Sequence, residues 1–163
     1  MFRPLILAVA LVGCTAAAPA SDPAAFDPLA FFTGASRGEG ELRIALKAPV
    51  TIRVVSHGRT DGKGGIIIDQ TINEGMKPPR QRRWTLRQTS PTTMSGTITD
   101  TPGLVSGQMR NSRLHLKYKM KNGLKAEQVL TLQPGGRSVI NKMVVRKMGM
   151  AVAHLDELIT KTS

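Results

Sequence analysis

The sequence predicts an all-β protein in which an antiparallel meander of about eight to ten short strands closes into a barrel, followed by a C-terminal amphipathic helix. Three observations predict this fold. Apolar and polar residues alternate with a period of two through most of the chain, tight turn signals separate the alternating runs, and the intervals leave no room for crossover helices. Closure would remove exposed sheet edges. The periodicity leaves an open sandwich as the alternative.

The strand from Arg113 to Lys121 shows the alternation most clearly, because every second residue is apolar and most of the others are basic. Such a strand has one buried face and one solvent-exposed face. Its apolar positions are Leu114, Leu116, Tyr118 and Met120. Asn122-Gly123 is the strongest turn signal, since a two-residue hairpin turn requires positive φ at both central residues. The other predicted strands span residues 41–46, 51–60, 65–73, 82–89, 93–99, 104–109, 127–133 and 139–146.

The last segment of the chain has a different pattern. Apolar residues between positions 148 and 159 recur at helical spacing, with charged residues on the other faces. These apolar residues are Met148, Ala151, Val152, Leu155, Leu158 and Ile159. We therefore expect a C-terminal helix packed on the outside of the barrel or across one of its ends.

Residues 1–13 have the layout of a signal peptide, with one positive charge at Arg3, an apolar run from Leu5 to Val12, and the small residue Gly13. A run of this length is too short to cross a hydrocarbon core of roughly 30 Å as a helix. We therefore expect these residues to be removed rather than to remain as a membrane span.

The segment Leu11-Val12-Gly13-Cys14 resembles the bacterial lipobox, in which a large apolar residue and two small or medium residues precede an invariant cysteine. The resemblance implies cleavage before Cys14, the only cysteine of the chain, and attachment of lipid to its thiol. Thr15 follows Cys14, and the absence of Asp at this position implies sorting to the outer membrane, as in enterobacteria. The lipid would then lie in the inner leaflet of that membrane, and the chain would face the periplasm. A conventional signal peptide cut after Ala18 or Ala20 is the alternative.

Residues 14–28 form the next unit, because Pro19, Pro23 and Pro28 interrupt an alanine-rich stretch that has no hydrophobic periodicity. We expect this unit to be an extended, lipid-carrying tether. Residues 29–163 then make one domain, which is large enough to bury a core without disulfides or metals.

The chain is strongly basic, with a formal net charge of +12. Nucleic acid, phospholipid headgroups and lipopolysaccharide are all anionic partners compatible with this charge. Export and the scarcity of aromatic residues for base stacking both argue against nucleic acid. The candidate contacts with an anionic surface are Arg83, Arg87, Arg113, Lys117, Lys119 and Lys121. An ordinary solubilising face is the alternative.

The sequence contains no motif typical of catalysis or metal binding. His57, His115 and His154 lack metal-ligand spacing, and no Gly-x-Ser-x-Gly elbow occurs. The glycines between Gly58 and Gly65 lack the Gly-Lys-Ser/Thr ending of a phosphate-binding loop. We therefore expect neither an enzyme nor a bound metal or cofactor. An enzyme whose site is assembled from residues dispersed along the chain is the alternative.

Several short motifs follow one another in a recognisable order. They are Phe31-Phe32-Thr33-Gly34, Arg83-Trp84, Val105-Ser106-Gly107 followed by Tyr118, and Asn141-Lys142 followed by Arg146-Lys147-Met148-Gly149. With them, the chain from Leu29 onward resembles a family of small proteobacterial lipoproteins, assigned to domain of unknown function 3833 and considered lipocalin-like. It departs from that family at Glu127-Gln128-Val129-Leu130, where relatives tend to carry an acidic strand with tryptophan. The resemblance implies fold and anchoring, and it implies no activity.

We expect a lipid-anchored lipoprotein of the cell envelope that binds a hydrophobic small molecule or lipid inside its barrel. Methionine side chains are flexible and can make an adaptable lining. The candidate lining residues are Trp84, Tyr118, Met94, Met109, Met120 and Met143. Two alternatives stand beside this hypothesis. The methionines can simply fill the core, or the chain can be a non-enzymatic interaction or assembly protein whose basic face contacts anionic membrane surfaces. The sequence identifies neither the ligand nor any protein partner.

Overall fold

A computed structural model describes residues 26–163 of the protein. This part of the chain contains ten strands, a short helix α1 at Pro28–Phe32, and a 3-10 turn at Lys121–Gly123. The strands are β1 Gly34–Ile44, β2 Val50–Thr60, β3 Gly65–Glu74, β4 Arg80–Ser90, β5 Thr93–Ile98, β6 Val105–Arg110, β7 Arg113–Lys119, β8 Leu124–Leu132, β9 Ser138–Lys147 and β10 Met150–Lys161.

All ten strands belong to one closed barrel in which neighbours in sequence are also neighbours in space. Adjacent strands are antiparallel, and the barrel closes where β10 pairs with β9 on one side and with β1 on the other. The predicted fold class, an antiparallel meander closed into a barrel, is confirmed. An open sandwich would contain edge strands that pair on one side only. Every strand here pairs with two neighbours, so the open sandwich is excluded.

The predicted C-terminal helix is wrong, because residues 150–161 form the strand β10. Its inward positions follow a period of two and are Ala153, Leu155, Glu157 and Ile159. A buried glutamate at one inward position and the half-exposed Leu158 on the outer face hid this period in the sequence. Residues 150–161 form a strand because they pair with β1 and β9. The spacing of apolar residues within the segment carries no information about this pairing.

The folded domain begins before the predicted boundary at Leu29. Phe26 is buried in the core, Asp27 caps the helix α1, and Pro28 is the first residue of that helix. The first strand also begins earlier than predicted, at Gly34 rather than at residue 41, because glycines and polar residues fill its first half. The folded domain therefore includes residues 26–28, which the prediction assigned to the tether.

The predicted signal peptide and lipobox, including Leu11, Val12, Gly13 and Cys14, lie outside the described residues. Between residues 26 and 163, no helix has the length and apolar character needed to span a bilayer.

Two strand glycines lie where neighbouring backbones approach closely. A Cβ atom on Gly40 of β1 would lie 2.2 Å from the carbonyl oxygen of Asp156 in β10. A Cβ atom on Gly96 of β5 would lie 2.0 Å from the carbonyl oxygen of Thr85 in β4. Such distances exclude any side chain, so these glycines permit the tight bends that barrel closure requires.

Candidate ligand-binding site

One end of the barrel is closed by the segment that precedes β1. The Asp27 carboxylate accepts hydrogen bonds from the first backbone N–H groups of α1, which starts the helix at this position. The Phe26 N–H donates to the carbonyl of Asn111 in the β6–β7 connection at 3.2 Å. Phe31 packs edge-to-face against both Phe26 and Phe32, with ring centroids 5.8 and 4.9 Å apart. We call this the closed end.

A lysine from the last strand fixes this closing segment. The Lys161 ammonium donates to the carbonyl oxygens of Ala30 and Phe31 at 3.2 and 3.1 Å, and also to the carbonyl of Thr33. These carbonyls belong to the end of α1, where the backbone lacks intrahelical partners and carries negative partial charge. The strand β10, which closes the barrel, therefore also fixes the segment that covers the closed end.

The barrel interior contains a cavity of about 380 Å³. It extends from Pro28 and Phe32 at the closed end to Glu74 and Arg80 at the opposite end, which we call the mouth. Its walls are mainly aliphatic, because the inward positions of the strands carry branched side chains. These include Leu42, Ile44, Ile52, Val54, Ile66, Ile68, Ile72, Leu86, Leu114, Leu116, Leu130, Val145 and Ile159. A volume of this size is typical of small-molecule pockets.

The only tryptophan of the chain lies in the cavity wall, buried on β4. Its ring meets that of Tyr118 edge-to-face, with centroids 5.7 Å apart. The Trp84 Nε1–H donates to Gln70 Oε1 at 2.7 Å, and Gln70 Nε2 donates to Ser56 Oγ at 3.1 Å. The polar atom of the indole is thus paired within the protein, and its ring is left as an apolar surface.

A second row of polar side chains crosses the opposite wall, from β7 to β10. The Tyr118 hydroxyl donates to Gln128 Oε1 at 3.3 Å, Gln128 Nε2 donates to Asn141 Oδ1 at 3.4 Å, and Asn141 Nδ2 donates to Glu157 Oε2 at 2.8 Å. Gly38 provides room for the Glu157 carboxyl, since a Cβ on that glycine would lie 1.9 Å from Glu157 Oε1. We call these four side chains the polar row.

Burial shifts the titration of both ends of the polar row. Desolvation raises the pKa of Glu157, although the hydrogen bond from Asn141 and the charge of Arg82 act in the opposite direction. Desolvation also raises the pKa of Tyr118 to about 12. A carboxyl with a raised pKa in an apolar cavity can hold a proton and donate a hydrogen bond to a polar group of a ligand.

Two arginines lie beside the cavity near the mouth and share one carboxylate. Asp100 Oδ2 accepts from Arg80 Nη1 at 3.0 Å and from Arg82 Nη2 at 2.8 Å. Burial and the charge of Arg82 lower the pKa of Arg80. The neighbouring carboxylate of Glu74 pairs with Lys77. The two guanidinium groups therefore share one remaining carboxylate, and the mouth carries an excess of positive charge that favours an anionic group.

The structure places four of the six predicted lining residues at the cavity. Trp84, Tyr118, Met120 and Met143 border it. Met94 on β5 and Met109 on β6 differ from the prediction, because they are buried in the core and do not border the cavity. The Met94 side chain packs closely against Gly107, so it fills core space.

The predicted basic surface is not one surface. On β4, Arg83 pairs with Asp69 at 2.5 Å and Arg87 pairs with Asp61 at 2.7 Å. Hydrogen bonds from Arg83 and Arg59 lower the pKa of Asp69 to about 2, so this patch is charge-compensated. The strands β5 and β6 separate it from β7, where Lys117 lies 3.6 Å from Glu127.

The remaining predicted basic residues lie at opposite ends of the barrel. Arg113 starts β7 at the closed end, whereas Lys119 and Lys121 lie at the mouth. The prediction considered only which face of the strand each residue occupies. It failed because these residues lie at different positions along the strand and therefore at different ends of the barrel.

Sequence reasoning missed the inward polar residues Gln70, Arg82, Gln128, Asn141 and Glu157. Each of them occupies a position where the alternation calls for an apolar side chain, which is the signal that could have found them. Among residues 26–163, no group of three His, Cys, Asp or Glu side chains is placed to hold a metal ion.

The barrel and its interior cavity define the class of protein as a lipocalin-like β-barrel. The chain belongs to a family of proteins of unknown function, DUF3833, whose model matches residues 8–161. No curated protein matches the chain. Among solved structures, the chain is similar to an S-type phycobiliprotein lyase, CPES, from Guillardia theta, with a TM-score of 0.65 and 7% sequence identity. The similarity covers 83% of this chain and 90% of that one.

This likeness corrects our expectation that the chain is not an enzyme. That expectation was wrong, because a barrel of the same fold belongs to a protein described as a lyase. Motifs local in sequence were its only basis, whereas a barrel gathers side chains from distant strands around one cavity. At 7% identity the likeness shows the fold alone and assigns no reaction to this chain.

Proposed function

We propose that this protein is a lipid-anchored lipoprotein of the cell envelope whose barrel binds an amphipathic hydrophobic molecule. The observation that carries this proposal is the cavity of about 380 Å³, which is lined mainly by aliphatic side chains and bordered by charged residues at one end. Apolar burial supplies affinity at about 25 cal/mol per Å², and a few placed polar groups supply orientation.

The distribution of polar groups supports a ligand with an apolar body and an anionic head. The part of the cavity near Pro28 and Phe32 is apolar, so it favours a hydrocarbon tail. Arg80 and Arg82 lie toward the mouth with a single carboxylate between them, so they favour a carboxylate or phosphate. A long-chain fatty acid has this chemistry and serves as the test molecule.

Titration with a brominated fatty acid is expected to quench the fluorescence of Trp84, because bromine in the cavity would contact the indole ring. Val54→Phe should weaken this binding at least about fivefold, since overpacking a fixed cavity costs about 1–3 kcal/mol. Saturable quenching of the purified chain measures the affinity.

The neighbouring residue provides the matched control. Val55 is on the same strand but points outward with 53% exposure, so Val55→Phe should leave the affinity unchanged. Absence of saturable quenching, or equal effects of the two substitutions, would count against a ligand inside the barrel. Thermal unfolding of both variants shows whether either has lost its fold.

The anchor is the second part of the proposal, and it rests on the lipobox and the family. We expect Cys14 to carry the lipid and the barrel to lie in the periplasm, on the inner leaflet of the outer membrane. Cys14→Ser should abolish labelling by a palmitate analogue in bacterial cells and shift the chain out of the membrane fraction. Thr15→Ser is the control and should retain both label and fractionation. Label that persists without Cys14 would contradict the anchor.

A further inference from the structure

The mouth of the barrel carries a ring of exposed apolar side chains. Five turns lie at this end, and four of them present a large hydrophobic residue. These residues, with their exposed fractions, are Leu46 (106%), Met76 (103%), Leu104 (70%), Met148 (90%) and Met150 (69%). We call them the rim. Because more than two thirds of each side chain is exposed, packing within the barrel contributes little at these positions and does not explain the choice of residue.

The closed end offers a comparison within the same molecule. Its connections consist of residues 61–64, 91–92, 111–112 and 133–137, which are polar, small or proline. None of the large hydrophobics exposed among residues 26–163 lies in these connections. The asymmetry is therefore a property of the mouth and not of turns in general.

Backbone conformation reinforces this point at two rim positions. Leu46 and Met148 have φ angles of 63° and 49°. Glycine or asparagine adopts this left-handed region at lower cost than a large side chain. Neither turn preference nor packing accounts for leucine and methionine there, so contact with a partner is the remaining explanation.

Basic residues flank the rim. Lys47, Lys119, Lys121, Lys125 and Lys147 are exposed at the mouth, and none of them forms a salt bridge with any residue from 26 to 163. Leu104 borders one shallow depression together with Lys119 and Lys125, so apolar and basic groups adjoin directly. The acidic residue of this depression, Glu127, pairs with Lys117. Apolar side chains surrounded by uncompensated lysines are typical of surfaces that enter the headgroup region of anionic bilayers.

We propose that the rim and its five lysines dock the barrel mouth-first on a bilayer that contains anionic phospholipids. Leu46, Met76 and Met148 leave water for the boundary between headgroups and acyl chains, and the lysines meet lipid phosphates. The cavity then opens toward the bilayer, so an apolar molecule passes between them without crossing bulk water. Docking goes beyond the proposed ligand binding and does not depend on it.

An anchor at Cys14 is compatible with this orientation. The chain enters the barrel at Phe26, at the closed end. The 12 residue steps from 14 to 26 span at most about 40 Å when fully extended. The 11-residue strand β1 is about 36 Å long, so the tether can pass along the barrel while the mouth faces the same membrane.

Single tryptophans at the two ends test the orientation. In a Trp84→Phe background of the full chain, Met76→Trp places an indole at the mouth and Thr92→Trp places one at the closed end. With vesicles of phosphatidylglycerol and phosphatidylethanolamine that contain brominated acyl chains, we expect strong quenching at position 76 and none at position 92. Equal quenching at both positions, or quenching only at 92, would overturn the proposal. Each tryptophan is placed in the same background chain, so an anchor alone does not produce stronger quenching at position 76 than at position 92.

Charge reversal separates docking from nonspecific adsorption. Lys119→Glu, Lys121→Glu and Lys125→Glu together should reduce the docked fraction of the Met76→Trp chain, by about fivefold per lysine at low salt. Arg110→Glu with Arg113→Glu, at the closed end, is the control and should change nothing. Equal loss in both variants would overturn the proposal. So would a concentration-dependent shift of Met76→Trp emission without vesicles, which would assign the rim to a second copy of the chain.

Discussion

Gly40→Ala is expected to destabilise the barrel by about 3 kcal/mol, at the upper end of what overpacking costs. The new Cβ would lie 2.2 Å from the carbonyl oxygen of Asp156 and 2.7 Å from the Cα of Glu157. Both are backbone atoms of β10, so no side-chain rotation can relieve the contact. The seam between β1 and β10 must open locally, and chemical denaturation measures the loss.

The adjacent position distinguishes this contact from a general effect of alanine. Glu39 is exposed on the outer face of β1, so Glu39→Ala should change the free energy of unfolding by less than about 0.5 kcal/mol. Glycine to alanine in an unobstructed strand reduces the entropy of the unfolded chain and stabilises the protein. A Gly40→Ala chain as stable as the wild type would therefore show that the barrel has no tight bend at this point.

Asn141→Leu is expected to cost about 2–4 kcal/mol at neutral pH, because it removes the donor to Glu157 and the acceptor of Gln128 within a buried row. The loss should depend on pH. The pKa of Glu157 is already raised in the folded protein, so the folded state binds more protons than the unfolded state above pH 4.5, the ordinary value. Stability therefore falls as pH rises through this window, and the variant, whose carboxyl is more costly to ionise, should fall further.

Denaturation at acidic and at alkaline pH checks both the size and the sign. The difference between wild type and Asn141→Leu should be smaller at pH 5 than at pH 8. Adding Glu157→Gln to Asn141→Leu should remove the extra pH dependence, because the amide does not ionise. Ile140→Leu, on the outer face of the same strand, is the control. A pH-independent loss would mean that Glu157 does not ionise in this range.

The fold was largely predictable because most strands of a barrel show their buried face as a period of two. The strand β7 illustrates this, since Leu114, Leu116 and Tyr118 are all buried while its basic residues are exposed. Prediction failed at the two strands that form the seam. β1 contains glycines at its bends and β10 contains a buried glutamate, so closure imposes residues there that disturb the local pattern.

The candidate site was predictable only in its apolar part. Trp84 and Tyr118 stood out as rare aromatic residues at inward positions. The polar row was not predictable, because its hydrogen bonds join β7, β8, β9 and β10, and their mutual register is a property of the sheet. The mouth arginines pair with Asp100, which follows a different strand, and only the register brings them together.

The pairing of the first and last strands governs how the barrel can be assembled. β1 pairs with β10, and the Ala35 N–H donates to Ser163 Oγ across 128 residues of sequence. Until β10 pairs, the nine earlier strands form a meander with two unsatisfied edges. Pairing over such separations makes folding slow and leaves those edges open to other chains. A C-terminal truncation before Met150 would make that aggregation-prone intermediate permanent.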